Sequence, residues 1–331
     1  MSPTAIWRDL VWKDLVWRDL VWRDLVWRDL VWKDLAPLRI AAKLAGLAIG
    51  LVALSCSARA DDAAPSDPNA PDKSGYSLLN PTPDDEMRKF APDRPTKGFS
   101  VRTIDAGHVE VEMDTFNDTY SKYLGITTHS IQALDPNVRI GITNWAEFDV
   151  QLNGLQSSQS MDSGSGAPVA QGIGFGDVVL RTKMNLFGND DGPVGLAIIP
   201  YVKLPSSAPV ISNGAVEGGL IAPLALRLPR DYLVTLMTEV DALKDDQNHR
   251  EANFVNLVGV SHPLPGVEGA NAMVELFSSV GADRAAPPIY TFDLGMNFRL
   301  DQHTIVDVGL NLGLNNAAPK VQIYTGISAR F

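Results

Sequence analysis

The chain has 331 residues, 45% of them hydrophobic, with 28 Lys+Arg against 39 Asp+Glu and a formal net charge of −11. That balance excludes a basic, nucleic-acid-binding protein. A single cysteine, Cys56, excludes a disulfide framework.

Residues 6–35 repeat the pentapeptide [IV]-W-[RK]-D-L six times and hold six of the seven tryptophans. A five-residue step turns each helical copy by ~140° and sends successive strand copies to opposite faces, so no common packing face forms. Solenoid repeats need roughly 20 residues or more. The near-identical units point to a tandem fifteen-base repeat in the gene and a true start near Val31 to Leu38. Residues 39–60 then have the form of a secretory signal peptide: basic Arg39 and Lys43, an apolar run from Leu44 to Leu54, and the cleavage site Ala58-Arg59-Ala60. The run is too short to span a bilayer. Leu54 argues against a lipoprotein site at Cys56. Residues 1–60, the repeat extension plus signal, are expected to be removed on export. The remaining 271 residues carry 19 basic and 33 acidic side chains, net −14, and no cysteine. A closed sheet would supply the stability that disulfides do not.

Residues 61–98 are rich in Pro, Asp and Ser and read as a disordered or extended periplasmic lead-in, or partial plug, with one helical turn within 84–90. Residues 99–331 read as strands, twelve in number: about 106–118, 128–142, 144–156, 173–187, 192–204, 216–229, 231–244, 250–263, 268–282, 287–301, 302–315 and 318–331. In "HTIVDVGLNLGLN", Thr304, Val306, Val308, Leu310, Leu312 and Leu314 share one face, with Asp307, Asn311 and glycines on the other. Alternation is weak near 128–136 and 250–263. Most strands exceed the ~5–6 residues of globular sheets and suit tilted membrane strands of ~9–11. Tight joints such as "GNDDG" and "DQH" alternate with longer ones such as 118–127 and 154–172. An even number of long alternating strands with unequal connections predicts an all-β, antiparallel, up-and-down transmembrane barrel of the bacterial outer membrane, with both ends in the periplasm. The last strand ends on Phe331 after apolar residues at alternate positions. This pattern resembles the signal read by the outer-membrane assembly machinery.

Several motifs together carry a family resemblance. They are "NPTPDDEMRKFAPDRPTKG" (80–98), "DAGHVEVEMD" (105–114), "GFGDVVLRTKMNLFG" (174–188), "IPYVKLP" (199–205), "GAVEGGLIAPL" (214–224) and the terminal "GISARF". They resemble the transporter family named for the meta-pathway of phenol degradation, whose members are outer-membrane barrels. The resemblance covers most of residues 76–331 and departs at "DRPTKGFS" and "KLPSSAP". It implies uptake of small molecules, aromatic or hydrophobic ones among them.

No motif points to catalysis or a cofactor. "GIGFGDVV" runs into a strand instead of opening a helix, so its glycines serve loop flexibility and lumen clearance, not a phosphate. His108, Glu110, Glu112 and Asp114 share a strand face, but same-face neighbours ~7 Å apart favour a solvated or salt-bridged wall over a metal site. The five histidines lie in no enzyme motif, which leaves a hydrolase as the weakest reading and a structural or adhesion barrel as the alternative to a channel. Expected partners are outer-membrane lipid and lipopolysaccharide, the assembly machinery and a small solute. By alternation the lumen is lined by Glu110, Glu112, Asp114, Glu147, Asp149, Asp177, Glu239, Asp241, Glu275, Asp293 and Asp307. Against these eleven acids stand Arg139, Arg181, Lys183, Lys203, Arg227, Arg299 and Arg330. The surplus of four acids predicts modest preference for cations or neutral solutes.

Overall fold

The computed structural model describes residues 71–190, 192–207, 211–245, 249–282 and 287–331. The pentapeptide repeat, the expected signal peptide and residues 61–70 lie outside them. Fifteen strands form one sheet. In chain order they are β1 (Val109–Tyr123), β2 (Ile126–Ala133), β3 (Asp135–Thr143), β4 (Ala146–Leu152), β5 (Leu155–Asp162), β6 (Pro168–Phe175), β7 (Val178–Phe187) and β8 (Val194–Leu204). Then come β9 (Glu217–Arg227), β10 (Leu233–Lys244), β11 (Arg250–Pro263), β12 (Ala270–Gly281), β13 (Ile289–Arg299), β14 (Thr304–Gly313) and β15 (Val321–Arg330). All pairings are antiparallel, and β15 returns to β1 from Glu110↔Arg330 to Tyr120↔Val321.

The closed circuit is β1-β3-β4-β7 followed by β8 through β15, twelve strands. Strands β2, β5 and β6 prolong β3, β4 and β7 as an extension on the β1 side. The twelve expected segments therefore correspond one to one with the twelve of the barrel. Two expected outer connections are corrected. Most of 118–127 and 154–172 is strand, because β1 reaches Tyr123 and β5 and β6 fill 155–162 and 168–175. These stretches are rich in Ser, Gln and Gly and lack apolar alternation, so their composition resembles that of loops. Backbone ladders hold them, with side-chain bonds Thr128–Ser160 (2.9 Å) and Ser130–Ser158 (3.0 Å) across β2 and β5.

The weak alternation near 128–136 has a local cause. Inward residues are even-numbered in β2 (Thr128, Ser130) and odd-numbered in β3 (Asn137, Arg139), and the phase changes at Leu134, which takes φ 55°. The same one-residue change occurs at the bulge between Asp114 and Phe116 in β1, between β4 and β5, and between β6 and β7. A seam thus runs across four neighbouring strands at one level. In β11 the cause differs: both faces are apolar, so Val255 and Leu257 inside contrast little with Phe254 and Val258 outside.

The outward face carries Val240, Val274, Leu276, Met296 and Ile323, all exposed. Trp145, Tyr232 and Phe331 are exposed near the end with the short turns, and Tyr120 and Tyr123 near the other, as an aromatic girdle requires. The short-turn end also holds both ends of the described chain. There Leu78 N–H donates to Ile142 O (2.8 Å), Thr82 N–H to Ala106 O (2.9 Å), and Phe331 N–H to Val109 O (2.8 Å). Within 84–90 the single turn is a 3-10 helix, Asp84–Glu86. From Arg88 to Asp105 the chain leaves this rim and packs on the inner wall before β1 begins.

Candidate functional site

The inner wall of β1, β3, β4 and β7 is ionic. Cross-strand register places Glu110 beside Arg139, Arg139 beside Asp149, and Glu147 beside Lys183. Arg139, 1% exposed, is the shared cation. Its Nη1 lies 3.1 Å from Glu110 Oε1 and also meets Glu112, while Nε and Nη2 donate to Glu147 Oε1 at 3.1 and 2.8 Å. Lys183, fully buried, adds Glu147 at 3.1 Å and Asp93 at 2.9 Å. Charges this deep persist only when paired, since each alone carries a large desolvation cost. The three acids that share the first face of β1 are thus engaged by Arg139 and, for Asp114, by Arg94. Among the described residues no three His, Cys, Asp or Glu side chains converge to hold a metal.

The inserted segment 88–105 supplies the groups that sequence reasoning missed. Arg94 pairs with Asp307 (2.8 Å) and Asp114, and Lys97 with Asp293 (3.0 Å) and Thr291 Oγ1 (2.7 Å). Backbone N–H groups of Asp93 and Arg94 donate to Glu112 at 3.0 and 3.1 Å, and that of Lys97 to Glu275 at 3.2 Å. At its root Arg88 pairs with Asp105 (2.9 Å) and Asp190 (2.8 Å). Burial alone would raise the Asp190 carboxyl, but Arg88 and Lys73 outweigh it and hold it below its ordinary range. The segment carries five bases and two acids, which reduces the wall's surplus of four acids to one. That surplus is the available signal: eighteen inward charges need more cations than the strands contain.

The opposite wall carries an apolar cluster. Ile199, Ile221, Met237, Val255 and Leu257 on β8–β11 form a cluster that receives Phe99, and Val101 packs on Ala197 and Ala225. The segment therefore turns its charges toward one half of the barrel and its apolar residues toward the other. Two wall glycines give it room. A Cβ on Gly295 would sit 2.7 Å from Pro95 Cγ, and one on Gly326 would meet the Arg94 guanidinium.

The other expected lining residues serve separate places. Asp177 and Lys203 (3.1 Å apart) clamp the loop after β8: Asp177 accepts from Ser207 and Ser212, and Lys203 also meets Glu217 at 2.8 Å. Burial would raise the Asp177 carboxyl, but the Ser212 and Ser207 bonds and Lys203 outweigh it and hold it at about 2. Asp241 accepts from Tyr201 (2.7 Å) and Asn253 (3.0 Å), and half-buried Glu239 precedes it on the same face. Arg181 donates to Gln151 (3.3 Å) and lies over the Phe99 ring. Arg227 fastens a short turn through Gly192 O (2.7 Å) and Gly188 O (3.1 Å). Arg299 and Arg330 each donate to one backbone carbonyl of the segment, Phe90 O and Arg88 O, both at 2.7 Å. Asp149 is fully buried, with neither oxygen hydrogen-bonded.

Residues 92–331 match the family described as "Putative MetA-pathway of phenol degradation". The chain belongs to this family. Among solved structures, the COG4313 outer membrane channel from Pseudomonas putida F1 aligns over 68% of this chain and 95% of its own, at TM-score 0.53 and 13% identity. The NanC porin aligns over 67% and 98%, at 0.42 and 9%. The CymD monoaromatic hydrocarbon channel aligns over 67% and 87%, at 0.39 and 10%. The likeness to the first is one of fold: this family member is a closed twelve-stranded barrel of the outer-membrane channel type. No curated protein matches the chain. Among the described residues no helix is long and apolar enough to cross a membrane.

Proposed function

We propose that this protein is a non-enzymatic channel or transporter that admits small apolar or aromatic solutes through the outer membrane. In this reading a signal cleaved after Ala60 exports it, Phe331 marks it for assembly, and residues 88–105 form a partial plug rooted in the periplasm. The observation that carries the proposal is the divided interior. Small solutes with an apolar body and few polar groups suit a path with an apolar side and an ionic side, because neither side alone desolvates such a molecule well. The nearly balanced charge of wall and segment also argues against a strongly ion-selective pore.

The test is flux and conductance of the purified barrel in liposomes. Uptake of neutral single-ring solutes with low ionic conductance is expected. Absence of both would replace the channel reading with a non-conducting structural or adhesion barrel, which the filled interior also suits.

A further inference from the structure

A second site lies at the periplasmic mouth, outside the ion-pair network. A cavity of about 610 Å³ opens there between the segment's root and the turns after β11 and β13. It falls within the ~300–1,000 Å³ of small-molecule pockets. Its inner end is lined by Arg299 and Arg330, from the ends of β13 and β15, with Lys89, Phe90, Met87 and Leu300 around them.

The two arginines differ from the ion-paired cations of the interior. Arg139, Lys183, Lys203, Arg94 and Lys97 each have a carboxylate within ion-pair distance. Among the described residues Arg299 and Arg330 have none. Each guanidinium offers five N–H donors and gives one to a backbone carbonyl of the segment. The Nε of Arg330 is buried and has no hydrogen-bond partner. The Arg330 guanidinium carbon lies 5.3 Å from the Phe90 centroid and Nη1 is taken by Arg88 O, which leaves Nη2 for a ligand. The strand ends stand about 10 Å apart across β14, a span that two arginine side chains close onto one small anion.

Three carboxylates, Asp84, Glu268 and Asp301, also line this cavity, and Arg88 is occupied by Asp105 and Asp190. All three acids are exposed, whereas both arginines are half-buried. Water screens the rim acids far more than the inner guanidinium groups. The inner end therefore favours one negative charge, and the acidic rim disfavours a polyanion.

We propose that this cavity binds small organic monocarboxylates, with the carboxylate between Arg299 and Arg330 and an apolar body against Met87 and Leu300. The inference goes beyond the solute-flux reading, and its test reads binding alone. Titration of benzoate into the detergent-solubilised full barrel should give saturable one-to-one binding. Benzyl alcohol should bind at least ~10-fold more weakly, because it cannot form charge-assisted bonds. Arg330→Gln and Arg299→Gln should each weaken benzoate by a similar factor. Lys89→Glu, at an exposed side chain on the cavity wall, should weaken it severalfold without disturbing the fold, as judged by heat-modifiable migration. Equal affinity for benzoate and benzyl alcohol, absence of saturable binding, or benzoate affinity unchanged in Lys89→Glu and both glutamine variants would overturn the site. Failure of neutral-solute flux with benzoate binding intact would count against the channel reading alone.

Discussion

The two halves of the barrel interior are held by different physics. On the β1-β3-β4-β7 side, Arg139 and Lys183 bind three wall glutamates and Asp93 with almost no exposure to water. On the β8–β11 side, Ile199, Ile221, Met237, Val255 and Leu257 form an apolar cluster, with Glu239 the one acid set beside it by the register. The ionic half fixes geometry, because a misplaced buried charge is expensive. The apolar half tolerates movement, because methyl contacts are many, weak and non-directional. A solute path between them would have one rigid side and one compliant side.

The comparison breaks most sharply at Arg139. Replacement by Met should destabilise the barrel by about 3–5 kcal/mol, because three buried carboxylates lose their shared cation. Denaturant unfolding followed by heat-modifiable migration measures this, and an unchanged midpoint would mean that the acids find other partners. Within the segment, the double change Arg94→Gln with Lys97→Gln removes two positive charges from an interior with one surplus acid. The expected result is higher conductance and a reversal potential shifted toward cation preference in a salt gradient, weakened near 1 M salt where screening falls to ~3 Å. An anion-selective shift would contradict the proposed lining. On the apolar side, Ile221→Val should cost only about 0.5–1.5 kcal/mol and leave ion selectivity unchanged, since it deletes one methylene beside groups that can relax. A selectivity change there would merge the two halves into one functional unit.

The smallest effect concerns pH at the outer clamp. Asp177 is held at about 2, so its contribution is present above the ordinary carboxylate range and is lost only as pH falls through about 2. Proteolytic nicking of the loop after β8 should therefore be unchanged between pH 7 and 4. Loosening near pH 4 would show that the three bonds to the carboxylate do not hold it ionised.

Legibility in the sequence obeys the same division. Strands such as β14, with lipid-type residues on one face and Asp307 and Asn311 on the other, declare both existence and register. Strand β11 declares only existence, because an apolar inner wall erases the contrast that alternation needs. The extension β2-β5-β6 resembles loop for the converse reason, with no buried apolar face to mark it. The segment 88–105 is hidden because Pro, Gly and scattered charges look alike whether solvated or buried. Only the unmatched acids of the wall point to it, and Arg94 and Lys97 are the residues that answer them.

The seam across β1, β3, β4 and β7 has a consequence for how this chain can vary. Below it, odd residues of β3, β4 and β7 face inward; beyond it, even ones do, while β1 changes in the opposite sense. Loss of one residue at a crossing would restore a single phase in that strand and leave its extension facing as before, with Ser130 still inward and His129 outward, for example. The crossing absorbs the change, because the one residue it holds in excess is what separates the two phases. Single-residue length changes that would ruin any strand at membrane depth are therefore cheap along this line, which makes it the place where related barrels can drift in length while their lipid belt stays in frame.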